Sequence, residues 1–142
     1  MNVPAEKRIE TAARAKDLMA AGHHCSEAFF IAVGDVLLGP LDDGMVRMTT
    51  GLGGGVGGSR QEMCGALSAA LLTIGALHGR VDAKQDDTLC YELCKQYLAA
   101  FEGEFGSRCC GELLATRYGG DKIPCSQLVA DAVGVFFEVL AE

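Results

Sequence analysis

The run CGALSAALLTIGAL, residues 64–77, is apolar on nearly every side. A helix built from it has no polar face to offer water, so other elements must surround it. This requirement points to a helical bundle with that segment at its centre. The spacing predicts a helix over 60–78, with Ser59 and Glu62 at capping-box separation and Gly79 as the stop.

The remaining segments supply the surround. Residues 5–21 predict an amphipathic helix with Ile9, Ala12, Ala13, Leu18 and Met19 on its apolar face, closed by Gly22. A second helix spans about Ser26 to Leu38, capped by Ser26, with Phe29, Phe30, Val33, Val36 and Leu37 inward, and Gly39-Pro40 ends it. Residues 42–50 predict a short helix started by Asp. Asp86 or Asp87 opens a long helix to Phe105, with Leu89, Leu93, Tyr97, Leu98 and Phe101 as its inner stripe. Cys110 to Thr116 predicts a short helix, Tyr118 to Asp121 a turn, and Cys125 or Ser126 to Leu140 the last helix. No segment alternates as a strand does. The expected fold is all-α, one domain over 1–142, with five main helices and one or two short ones.

Charge narrows the partners. The net charge is −7 and no Lys/Arg cluster occurs, which argues against nucleic acid and against anionic membranes. The apolar runs fall short of a membrane span and the amino-terminal residues lack a secretory core, so membrane insertion is not expected and a cytoplasmic location is. In that compartment, seven cysteines point to metal or redox chemistry before structural disulfides.

Directly before the apolar helix stands GLGGGVGGSRQEMCGA, residues 51–66. Gly53-x-Gly55-x-x-Gly58 matches the dinucleotide fingerprint in spacing, but no strand precedes it and no βαβ unit follows. A phosphate loop would also end in Gly-Lys-Ser/Thr, whereas this one ends Gly-Ser-Arg. Glycine lacks a Cβ, so its backbone can pass close to another group. The expectation is that Gly53, Gly54 and Gly55 bring the chain against a sulfur site and contact any cofactor there.

Four cysteines share one place in the helical plan. Cys25, Cys64, Cys110 and Cys125 each fall at or near a predicted helix start. Free amides and the helix dipole favour a thiolate there, so low thiol pKa values are expected. Four such residues from four separated segments predict one shared site. Cys90 and Cys94 lie at i, i+4 beside Leu89 and Leu93, a spacing that also suits a metal pair, and read as packing. Cys109 is a candidate resolving thiol. His24, beside Cys25, is a candidate base or fourth ligand. Arg60 and Arg108 sit just before Cys64 and Cys109, where a guanidinium would favour a thiolate.

The order HHCSEA, a glycine-rich run into CGA, then two later cysteines resembles the C-GCAxxG-C-C family of redox-active proteins. The resemblance covers essentially the whole chain. It assigns the family cysteines to Cys25, Cys64, Cys125 and one of Cys109 and Cys110, with Cys110 preferred. Ala69 stands where the family has glycine.

Three functions follow as alternatives. The first is thiol/disulfide or electron-transfer chemistry at Cys25, Cys64, Cys110 and Cys125, serving a redox partner protein or a small thiol. The second is a metal centre on the same four sulfurs, a 2Fe–2S cluster or Zn²⁺. The third is a non-catalytic adaptor whose small-residue central helix forms a homodimer face.

Overall fold

The computed structural model describes residues 2–116, 118 and 123–141. Among them the chain forms seven α-helices and no strand: α1 (Ala5–Ala20), α2 (Cys25–Leu37), α3 (Asp43–Arg47), α4 (Gly65–His78), α5 (Thr88–Phe105), α6 (Cys110–Thr116) and α7 (Cys125–Ala141). A 3₁₀ turn at Thr50–Leu52 enters the glycine segment. The all-α expectation holds. The expected turn at Tyr118 to Asp121 lies largely outside the described residues.

The centre is shared rather than owned by α4. α7 packs on α1, α2, α4 and α5, and α2 packs on α1, α4 and α7. α4 is buried along its first half, where Ala66, Leu67, Ala69 and Ala70 are fully enclosed, but Leu72 is 37% exposed. The apolar run therefore outlasts its cover. An edge-to-face aromatic series ties the layers: Phe29 meets Phe136 at 5.5 Å, and Phe136 meets Tyr97 at 5.6 Å. Further along, Phe105 meets Tyr118 at 5.4 Å. The buried Tyr97 hydroxyl donates to Ala132 O at 2.9 Å, which satisfies its one polar atom.

Several local expectations are corrected. α4 starts at Gly65, not near residue 60, and Cys64 is its N-cap. Ser59 and Glu62 make no capping box; the Ser59 hydroxyl donates to Gly55 O instead. Ser26 does not cap α2. His24 does, and Ser26 turns inward, fully buried, to donate to Thr49 O at 2.7 Å. On α1 the buried positions are Thr11 and Ala15, while Ile9 is 71% exposed, because α7 and α2 cover a face rotated from the one that hydrophobicity alone selects. On α5, Leu89 lies beyond the packed face and is 56% exposed.

Candidate functional site

Three local devices place the four cysteines. The end of α1 comes first. Gly22 takes φ +112, and the His23 amide donates to Leu18 O at 3.0 Å, a Schellman-type closure that turns the chain at once into α2. Cys25 thereby becomes the first residue of α2. The His24 amide donates to Glu27 Oε1 at 2.9 Å, and Thr50 Oγ1 donates to Glu27 Oε2 at 2.7 Å. Burial works against ionisation of Glu27, but these two bonds outweigh it and hold its carboxyl below the usual range. Glu27 and Ser26 so fasten the approach to the glycine segment onto the first turn of α2.

The glycine segment is the second device. Residues 54–58 all take positive φ, between +59° and +72°, as does Arg60 at +62°. A left-handed turn of this length is open to glycine at little cost and costs other residues roughly 1–2 kcal/mol each. The turn closes on itself: the Gly57 amide donates to Gly51 O at 2.8 Å and the Arg60 amide to Gly54 O at 2.8 Å. Its glycines also touch the site. A Cβ on Gly55 would stand 2.6 Å from Cys110 Cβ, and one on Gly53 would stand 2.9 Å from His24 Cβ. Gly54 lines the cavity described below.

The third device is a short antiparallel pairing. The Cys64 amide donates to Arg108 O at 2.8 Å, the Cys110 amide to Glu62 O at 2.9 Å, and the Gly111 amide to Arg60 O at 2.7 Å. The pairing carries Cys64 and Cys110 to the same place although 46 positions separate them, by subtraction of their numbers (110 − 64). A Cβ on Gly111 would stand 2.6 Å from Arg60 O, so the two strands of chain meet only because residue 111 is glycine.

The result is one cavity of about 220 Å³ with Cys25, Cys64, Cys110 and Cys125 all in its wall. Leu113, Leu114, Tyr118, Leu128 and Val129 supply most of the remaining surface, with Arg60, His23 and His24 as its polar side. Cys64 is buried and the other three are half-buried. All seven cysteines are free. Cys125 Sγ donates to Tyr118 O at 3.3 Å. Gly65 makes the closest approach: a Cβ there would collide with Cys25 Sγ and stand 3.1 Å from Leu52 O and Ser26 N.

The expected low-pKa thiolates are not what this environment produces. Burial first, and then charge repulsion from Cys25, push the Cys64 thiol up to about 12. The Ala66 and Leu67 amides at the start of α4 pull the other way, as a helix terminus should, but they lose to desolvation. Cys110 and Cys125 are also raised, chiefly by burial and then by Cys25, with Arg60 opposing the shift at both. Burial therefore favours the neutral thiol at Cys64, Cys110 and Cys125.

Cys110, not Cys109, faces the cavity. Cys109 Sγ turns outward toward Gln61 O at 3.6 Å. Arg108 pairs with Glu102 at 3.4 Å and does not line the site. Arg60 does. Cys90 and Cys94 lie elsewhere on α5, against the core. His23 lies 3.7 Å from Glu27. Sequence reasoning missed Gly65, Gly111 and Ser26, whose roles depend on partners distant in the chain; Gly65 was visible only as part of CGA. As the donors stand, no group of three or more His, Cys, Asp or Glu among the described residues is arranged to hold a metal ion. The four sulfurs share a cavity wall without forming a coordination cage.

Helices and the glycine segment together close four thiols from four segments around one largely apolar cavity, the arrangement of a thiol-cluster protein. The chain belongs to the family described as "Putative redox-active protein (C_GCAxxG_C_C)", whose model matches residues 23–139. That description carries a redox role for the family. No curated protein and no solved structure matches this chain. Among the described residues, no helix is long and apolar enough to cross a membrane.

Proposed function

We propose that this chain is a thiol–disulfide redox protein whose working groups are Cys25, Cys64, Cys110 and Cys125. The observation that carries the reading is the shared cavity wall, reached from four separate segments. Burial keeps Cys64 and Cys110 as neutral thiols, and joining two such thiols as a disulfide releases two protons and two electrons and leaves an uncharged S–S group that suits the apolar wall. Attack begins from the small thiolate fraction of a half-buried cysteine, Cys110 or Cys125, whose ionisation Arg60 assists. The buried Cys64 fits the second partner, because it is shielded from outside reagents yet lines the same wall as the other three and lies close enough to Cys25 and Cys110 to feel their charge. The reaction is two-electron: two thiols become one disulfide, and the co-substrate accepts two electrons and two protons.

Thiol titration tests this. Fully reduced protein exposed to a mild disulfide oxidant loses thiols in pairs and regains them on reduction. Seven free thiols persisting in the oxidant refute the proposal.

A further inference from the structure

The chain carries 19 Asp and Glu against 12 Lys and Arg. Yet among the described residues no carboxylate lines the thiol cavity, and the charged side chain that does is Arg60. Among the described residues the Arg60 guanidinium has neither a salt bridge nor a hydrogen-bond acceptor. Arg108, the other arginine beside a cysteine, is paired with Glu102. Arg60 is also held at a cost. Its backbone sits at φ +62°, pinned by its amide on Gly54 O and by Gly111 on its carbonyl. Residues other than glycine rarely take that conformation. Among the described residues, then, the carboxylates stay out of the cavity wall, while Arg60, exposed and without an acidic partner, stands in that wall and acts on Cys110 and Cys125.

We infer that the cavity takes a small organic disulfide bearing a carboxylate, with the carboxylate held by Arg60 and the carbon stem against Leu113, Leu114 and Val129. The inference rests on the thiol-exchange reading and names the substrate class for it. A cavity of about 220 Å³ with Cys64 only 6% exposed admits a small molecule and excludes a folded protein's disulfide from its depth. In the first step a thiolate of Cys110 or Cys125 attacks one sulfur of RS–SR. The S–S bond breaks, a mixed disulfide forms, and RS⁻ leaves and takes up a proton. A second cavity thiol then attacks the protein sulfur of the mixed disulfide and releases the second RSH. Two protein thiols are oxidised to one disulfide, and one small disulfide is reduced to two thiols.

Two fields of opposite sign make this testable. The net charge of −7 favours cationic reagents at long range, but salt screens it beyond about 8 Å at 0.15 M. Arg60 favours anions at contact. The reduced full-length chain is mixed at 0.15 M salt with 3,3′-dithiodipropionate, bis(2-hydroxyethyl) disulfide or cystamine, and each rate is divided by that for free cysteine amide. The anionic reagent should lead the neutral one on the order of tenfold, and cystamine should be slowest. Arg60→Gln should abolish the lead. Arg60→Gly should do the same while relieving the left-handed backbone, so loss of fold cannot imitate the result. In parallel, iodoacetate and iodoacetamide are compared at Cys110 and Cys125 by peptide mass spectrometry with the same normalisation. Neutral or cationic disulfides matching the anion, or a lead that survives both variants, overturns the inference. If no disulfide oxidises the protein but iodoacetate keeps an Arg60-dependent lead, the exchange reading falls and the anion site stands. If all three disulfides react without charge preference, the exchange reading stands and the anion site falls.

Discussion

Gly65→Ala is the sharpest structural test. An ordinary helical position gains from this change, because alanine is better than glycine in a helix by roughly 1 kcal/mol. Gly65 is the first residue of α4, and an added Cβ collides with Cys25 Sγ while standing 3.1 Å from Leu52 O and Ser26 N. Two of these three neighbours are backbone atoms and cannot rotate away. Overpacking of this kind costs about 1–3 kcal/mol, which outweighs the propensity gain. The sulfur contact is an outright collision, so the upper part of that range applies, about 2–3 kcal/mol, and the predicted net effect is a loss of about 1–2 kcal/mol. With a urea slope of roughly 2 kcal/mol/M, the unfolding midpoint falls by about 0.5–1 M. The assay is urea unfolding under reducing conditions in a double-mutant cycle with Cys25→Ala. Removing the sulfur removes the worst clash, so the cost of Gly65→Ala should shrink by about 1 kcal/mol in that background. A raised midpoint for Gly65→Ala alone refutes the reasoning, as does an identical cost in both backgrounds.

Other outcomes follow from the same geometry. Val56 is β-branched, 41% exposed and at φ +68°, so Val56→Gly should raise stability by about 1 kcal/mol, read as a melting-temperature rise of a few degrees. Ser26→Ala removes the buried donor to Thr49 O and should cost about 1 kcal/mol in urea unfolding. Cys64 is raised from 9.0 to about 12 in the folded chain, so its contribution to stability is complete below pH 9 and is lost as pH rises from there toward 12. Three units at 1.36 kcal/mol each make that loss about 4 kcal/mol. Cys64→Ala should flatten this alkaline slope in unfolding measured across pH 8–11.

The helices were legible because their stops are local: Gly22, Gly39-Pro40, Gly79 and Gly106 each end a helix where they stand. The convergence of four cysteines was legible in outline, since each sits at a helix start and order alone suggested a meeting point. Their charge state was not. Helix-terminal amides do act on Cys64, but desolvation outweighs them, and burial comes from packing that includes a cavity wall of Leu113, Leu128 and Val129 brought from elsewhere in the chain. The glycine segment was read as close approach, and Gly55 bears that out against Cys110. Its left-handed run could not be foreseen, because Val56 and Arg60 interrupt it with residues that ordinarily avoid that conformation. The start of α4 was misplaced for a related reason. Ser59 and Glu62 have the right spacing for a cap, but the pairing with Arg108, Cys110 and Gly111 keeps residues 60–64 out of the helix, which begins at Gly65.

The central claim is that Cys25, Cys64, Cys110 and Cys125 act on one another. Disulfide mapping of the mildly oxidised, alkylated protein by peptide mass spectrometry tests it most directly. Every crosslink formed should join two of those four residues, with Cys90 and Cys94 recovered as alkylated thiols. Crosslinks that run through Cys90 or Cys94 while the cavity thiols stay alkylated would contradict it.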